Sequence, residues 1–530
     1  MGKNSKPLGQ AEVASALKSL EQYKKARASL QARVTEDENW WDMRCGGQNP
    51  RGGRENWQSV SAWVFNAVSN KHADAMDNYP EPVVLPREEG DVADAQVLSA
   101  VLPVIMERCD FEQVYSDNWW YKLKHGFCAY GVFWDSGLEN GLGDIAIKRV
   151  DPLSVYWQPG VSRLEDSREI FVADLAGTED IGAVYSINRA VLEKGSDTDG
   201  LFRNDPAVTG KCVVIDWYYK KLTSTGKTVL HYCKIAADRI LFSTENEAGF
   251  ENGLYDHGRF PIVFDVLYPQ ERSPAGFGLI SIVKDPQEYI DRLCGSMLEM
   301  ACKASAPRFW IKKGCGVSKE QFLNWDEPLV EVEGNIDDER LRPVTMNPMD
   351  QQWSTLLNLK IDELKETSSN RDFNSGGTTS GVTAAAAISA LQEAGNKNSR
   401  DMIASSYRVY AQILSLCIEL IRQFYDEERE FRITGEKRFV RLGGGAIRER
   451  LSGVNSAGEA LYRRPVFDIS VKPRKQDAFS KLTLNELAKE LFQLGAFDPE
   501  NAAAAGVMLE MMEFDGKEQI AAILEKAATK

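Results

Sequence analysis

The chain has 530 residues, 43% apolar, 27% charged and 10% aromatic, with a formal net charge of −15. That length allows several domains with cores of their own, and the apolar and aromatic load excludes a disordered chain. The negative charge excludes a surface built throughout to neutralise DNA phosphates, leaving room only for a local basic patch.

Nine cysteines, an odd number without a Cys-x-x-Cys pair, read as reduced thiols in a reducing compartment. The opening MGKNSKPLGQ lacks the apolar core of a secretory signal, and Lys6 stands where a myristoylation signature needs Ser or Thr. The stretch ILSLCIELI carries Glu419 and is far too short to cross a bilayer. The expectation is a protein of the cytosol, or one assembled there, without a membrane partner.

In chain order, Leu17, Leu20, Leu30 and Val34 among Lys, Arg and Gln predict one long helix over 10–43, ending in Trp40-Trp41. After the turn NPRGGREN, a second helix is predicted over 57–78. YPEPVVLP (79–86) holds three prolines and must be extended. Helices over 91–106 and 111–124 follow. AYGVFWD, GDIAIKRV, SVYWQP and EIFVADL then read as strands, as do KCVVIDWYYKK, TVLHYCKIA, RILFST and FPIVFDVLY. Pro274, Gly276 and Gly278 break the chain before a long helix over 279–305. Ile282, Tyr289, Leu293, Met297, Met300 and Ala304 follow its 3.6-residue period, and Asp285, Glu288, Asp291 and Glu299 lie on other faces.

Residues 307–348 turn to short strands, and a second helix is predicted over 350–369. The pattern is a hairpin of helices with a small β-containing domain at its tip. A very long helix over 380–426 follows, with Gly395-Asn396 inviting a kink. REFRITGEKRFVRL and FDISVKP return to strand, and the acidic end from Asp477 reads as helical. The fold class is α+β.

Chemistry-bearing motifs are weak. Gly376–Thr383, reading GGTTSGVT, has the Gly-x4-Gly-x-Thr frame of a phosphate-cradling loop. The lysine that should meet the phosphates is replaced by Val382, and the segment follows a polar helix, not a buried strand. It reads as a flexible loop with Ser380 capping the next helix. The four histidines, at 72, 125, 231 and 257, lack metal-ligand spacing. GGGAIRER (443–450) reads as a strand-to-helix turn, and no Gly-x-Ser-x-Gly elbow occurs. The Trp-rich segments NWWDM and NWWYKLKHGF read as core, not base-stacking platforms. No catalytic, cofactor-binding or metal-binding residues are assigned, and no enzyme activity is expected.

The order of parts resembles the portal protein of tailed double-stranded-DNA bacteriophages over essentially the whole chain. The residues carrying it are WWDMRCGGQNP with NAVSNKHADAMDNYPEPVVLP, and YKLKHGFCAYGVFWDSG with GDIAIKRVDPLSVYWQPG. PAGFGLISIVKDPQEYIDRL and TSGVTAAAAISALQEAGNKNSRD complete the set. The resemblance implies a wing over 1–275, a first stem helix over 276–306, a clip over 307–348 and a second stem helix over 349–369. It further implies a tunnel loop over 370–380, a long wing helix over 381–428, returning wing strands over 429–475 and a helical crown over 476–530. Asn374, Ser375, Gly376, Gly377, Thr378, Thr379 and Ser380 would lie nearest the DNA. Ile282, Tyr289, Leu293, Met297 and Met300 would pack the stem within and between subunits. Asp285, Glu288, Asp291 and Glu299 would face the lumen or pair between subunits. Lys312, Lys313 and Lys319 would make the clip a DNA-facing collar or a docking surface.

The implied assembly is a dodecameric ring at one capsid vertex. Its partners would be the terminase large subunit, a head-completion or tail adaptor, the major capsid and scaffolding proteins, and the double-stranded DNA that passes through. Two rival expectations are another virion ring adaptor or minor capsid protein, and a DNA-stimulated nucleotide hydrolase using 376–383.

Overall fold

The computed structural model describes residues 7–44, 61–188, 191–192, 210–223, 226–305, 309–311, 318, 320, 341–343, 351–369, 397–433, 439–454, 460–475 and 493. The chain divides into two compact units, residues 1–72 with 106–426 and residues 73–105 with 427–530.

The first unit begins with helices α1 (Gln10–Ala26) and α2 (Ala28–Arg44), where periodicity alone predicts one helix. The break falls at Arg27, whose buried guanidinium donates to the carbonyls of Pro152, Leu153 and Val155. The break is slight, since Arg27 keeps a right-handed helical backbone and its N–H bonds the Tyr23 carbonyl at 3.0 Å. Helix α3 (Trp63–Asp77) passes into the second unit, and the strand β1 (Asn78–Pro86) and helix α4 (Val92–Arg108) follow it. Helix α5 (Phe111–His125) ends at Gly126, whose φ of +92° is the left-handed capping conformation that glycine adopts without strain.

Two antiparallel sheets follow. Strands β2 (Phe127–Asp135) and β3 (Asp144–Val150) pair, and β2 also pairs with β9 (Ile262–Val266), giving the order β3-β2-β9. The other sheet runs β4 (Val155–Trp157), β5 (Glu169–Gly177), β6 (Lys211–Leu222), β7 (Thr228–Ala236) and β8 (Arg239–Ser243) in chain order. Alternation along β6 buries both its faces. Val213, Trp217 and Tyr219 join Val13, Ala16 and Leu20 of α1 in one core. Cys212 and Val214 join Ile181 in another, on the short helix α6 (Thr178–Tyr185), which the sequence reading does not anticipate. Also unanticipated is the hairpin of β10 (Tyr268–Gln270) and β11 (Ser273–Phe277), in a stretch read only as a break.

Helix α7 (Leu279–Ser305) occupies the predicted span, and β12 (Phe309–Ile311) pairs antiparallel with β13 (Leu341–Pro343). Helix α8 (Gln351–Thr367) returns alongside α7. Helix α9 (Lys397–Phe424) packs on the three-stranded sheet. Its Ser406 sits in a buried knot: Lys122 Nζ lies 2.8 Å from Asp265 Oδ1 and donates to Ser406 Oγ at 2.6 Å, and Ser406 donates to Asp265 Oδ2 at 2.5 Å. With Lys122 and Asp265 at most 1% exposed, charge compensation joins α5, β9 and α9 in one core.

In the second unit β1 pairs with β18 (Phe467–Lys475), nearly four hundred residues away. The prolines of β1 fit because they share a parity. The Val84 N–H, of that same parity, turns away from β18 to Ser99 Oγ at 2.9 Å, so Pro80, Pro82 and Pro86 occupy positions where the ladder needs no N–H. Arg87 clamps Asp468, and Arg463 holds Asp91 through two bonds of 2.8 Å. Strands β14 (Arg429–Arg432) and β15 (Phe439–Leu442) pair, and the glycine run then starts the short helix α10 (Gly444–Arg448), the turn read from GGGAIRER. The pair β16 (Arg450–Val454) and β17 (Ala460–Arg463) is an addition.

Candidate functional site

The feature that stands apart is the α7–α8 hairpin. Its root is set by backbone contact. A Cβ on Gly278 would lie 2.1 Å from the Lys124 carbonyl oxygen, and one on Gly126 would lie 2.1 Å from the carbonyl carbon of Phe277. The glycines of PAGFG therefore let the chain lie against the end of α5 before α7 begins.

Side chains complete the socket. Ser281 donates to Asp37 of α2 at 2.8 Å, and Lys284 reaches Glu36 at 2.9 Å. Next to Gly126, Lys124 and His125 grip Glu38 at 2.9 and 2.6 Å. The His125 hydrogen bond, reinforced by Lys124, holds the Glu38 carboxyl down at about 2. Burial pushes Asp37 the opposite way.

One turn further along α7, Gln287 and Asp291 receive the start of α3. Ser61 donates to Asp291 Oδ1 through its N–H at 3.0 Å and its hydroxyl at 2.7 Å, and the Val64 N–H donates to Gln287 at 3.3 Å. Gln287 thus satisfies one of the free N–H groups in the first turn of α3, and Asp291 holds Ser61 just before the helix. Asp291 makes these hydrogen bonds inside its own chain. Asp285 and Glu299 are exposed, and Glu288 and Glu299 pair along the helix with Arg292 and Lys303.

The buried face of α7 differs from the expected one. Leu279, Ile280, Val283 and Ile290 are buried, whereas Ile282, Leu293, Met297 and Met300 are half-buried and Tyr289 is 52% exposed. The reason is that the first half of α7 packs on α2 and α5, not on a single helical partner. Helix α7 also packs along α8. The pair presents apolar side chains to solvent: Leu298, Trp353, Leu356 and Leu359, the last 60% exposed. The three-residue spacing in WSTLLNL is the signal that could have found them. Gln287 and Ser61 left no signal, because their pairing joins segments more than two hundred residues apart.

The loop residues Asn374–Ser380, the alanine run after them, the Gly395-Asn396 kink, the crown over 476–530, and Lys312, Lys313 and Lys319 lie outside the described residues. The described residues that flank 370–396 meet. Asn398 donates to Ser369 Oγ at 2.5 Å, and the buried Lys71 bonds Ser399 Oγ at 2.6 Å and the Ser369 carbonyl at 3.4 Å.

Among the described residues no group of three or more His, Cys, Asp or Glu could hold a metal ion. Burial pushes the Cys109 thiol up to about 11 and the Cys233 thiol up to about 12, which keeps both protonated near neutrality. No described helix is long and apolar enough to cross a membrane.

A family model described as the phage P22-like portal protein matches residues 72–530. The chain belongs to the P22-like portal protein family. A comparison with curated proteins finds no match. The family places this portal protein in the context of a bacteriophage capsid, with the structural, ring-forming role of a portal. Helices α1 and α2, which complete the socket of α7, precede the matched region.

Proposed function

We propose that the chain assembles into a closed, dodecameric ring at one capsid vertex, through which DNA is packaged and ejected, and that it catalyses no reaction itself. The observation that carries this reading is the apolar surface of the α7–α8 hairpin, where Tyr289, Leu298, Trp353, Leu356 and Leu359 are exposed. Apolar side chains in that number on a hairpin call for a cover, and in a ring the same hairpin of each neighbour supplies it through repeated head-to-tail contacts.

In this reading the α7–α8 pair is the stem, the strands β12 and β13 belong to the clip, and 370–380 is the tunnel loop. Lys312, Lys313 and Lys319 then mark the clip as the docking surface for the terminase large subunit and, later, the head-completion or tail adaptor. Major capsid and scaffolding proteins surround the ring. A conduit must not grip what it conducts, since each neutralised phosphate adds salt-dependent affinity. The net charge of −15 and the Ser, Thr, Asn and Gly side chains of 374–380 meet that need. The meeting of Ser369 and Asn398 supports a loop that can reach into a channel without moving the body.

The test is assembly. Purified full-length protein should give rings with a central hole in negative-stain images and a matching mass in solution. Leu356→Asp with Leu359→Asp should leave folded monomers, because a charge buried in the neighbour contact has no partner. A wild-type protein that stays monomeric at every concentration would refute the reading.

A further inference from the structure

A cavity of about 430 Å³ opens at the break between α1 and α2. Its walls include Arg27, Arg33 and Trp157, with Gln270, Glu271, Arg272 and Ser273 contributed by the β10–β11 hairpin. The volume lies within the range of small-ligand sites.

Two features set it apart. First, it holds two guanidinium groups without a counter-charge. Arg27 is only 6% exposed, and among the described residues neither Arg27 nor Arg33 forms an ion pair; Asp151 and Asp37 act on them only at longer range. Burial holds both below the ordinary arginine value, the direction expected where the charge is poorly compensated. At the rim, Glu271 lies 3.9 Å from Arg272 and offsets that charge, not the inner pair.

Second, hydrogen bonds fix both inner arginines in the wall of the cavity. Arg27 spends its terminal nitrogens on the carbonyls of Pro152, Leu153 and Val155, and Arg33 spends its own on Gly276 and Gln270. The Nε–H of each is buried with no acceptor. Stacking of the Arg27 guanidinium 4.1 Å over the Tyr156 ring fixes its plane. Charge without an ion-paired partner costs free energy, and an anion in the cavity relieves that cost.

We infer that this cavity is a binding site for an oxyanion, a phosphate or carboxylate group of a small molecule, held by Arg27 and Arg33. Every residue that lines it belongs to one compact unit.

The probe is inorganic phosphate, measured by equilibrium dialysis against the full-length protein in chloride buffer of constant ionic strength. Wild type should take up one phosphate per chain. Arg33→Gln should weaken binding at least tenfold. Because Arg33 also bonds the Gly276 carbonyl next to α7, a second variant guards against misfolding. Ser273→Asp keeps the turn bond now made from the Ala275 N–H to Ser273 Oγ at 3.2 Å, yet adds a carboxylate to the wall. It too should lose phosphate, while its melting temperature rises as the arginines gain a partner. Competition by acetate, if it occurs, assigns the site to carboxylates as well; if acetate fails to compete, the ligand is a phosphate. Absence of phosphate uptake by wild type, or equal uptake by wild type and Ser273→Asp, overturns the inference.

Discussion

Lys122 shows how one residue can decide the integrity of a core. Its ammonium reaches Asp265 and Ser406, and lies 4.4 Å from the Trp119 ring centroid. Lys122→Met strands Asp265 in a site with no exposure and should cost about 3–5 kcal/mol in urea unfolding. Ser406→Ala removes one satisfied link and should cost about 1–3 kcal/mol. The pair should be strongly non-additive in a double-mutant cycle, as expected for members of one network. Glu38 gives a pH signature at the same scale. Its folded carboxyl titrates at about 2, below the ordinary 4.5, so the unfolded chain binds more protons between those values. The Glu38 contribution is complete above about pH 4.5 and is lost as the pH falls through 2. Glu38→Gln should flatten that part of the stability curve, read as the difference in urea midpoint from wild type. Taking the difference removes the opposing titration of Asp37, whose carboxyl is pushed up.

At the scale of elements, the hairpin is rigid where it enters the body because glycines let backbones touch. Gly278→Ala would put a methyl 2.1 Å from the Lys124 carbonyl oxygen, so α5 or α7 must shift. A loss of about 1–3 kcal/mol is expected in thermal unfolding. Gly445→Ala is the contrast: nothing lies within 4 Å of the added carbon, inside a short helix, and stability should hold or rise slightly. Much of this level was legible beforehand. The span 279–305 was readable from its period and from the Pro-Gly break, and 78–86 from its prolines. The slight division of 10–43 into two helices was not; it falls at Arg27, whose guanidinium reaches carbonyls of residues 152–155. Nor was the face of α7 legible. Ile282 and Ile280 are equally apolar, and only the neighbours α2 and α5 decide which is buried.

For the whole molecule, the decisive prediction separates body from channel. The flanking residues Ser369 and Asn398 meet, so deletion of Gly376–Ser380 should leave melting behaviour and ring assembly unchanged. In phage complementation the same deletion should impair DNA packaging or retention. If rings fail to form, 376–380 is a structural joint and its role in the channel reading falls. The charge balance acts at this scale too: a net −15 sets weak, salt-insensitive contact with duplex DNA, measurable as negligible retention on double-stranded DNA at moderate salt.

By itself the sequence determined the kinds and order of elements, the lack of a phosphate-cradling lysine at Val382, and the likeness to portal proteins. These depend on local periodicity, turn chemistry and residue type, which neighbours in sequence control. Only the tertiary structure decided that Gln287 meets the first turn of α3, that Lys122 is neutralised by Asp265, and that β1 finds β18 across the chain. It also brought Arg27 and Arg33 to one cavity. Each of these joins residues or elements far apart in sequence, or turns on which neighbours surround them, and the free energy of a buried charge depends on what packs against it, not on where it stands in the chain.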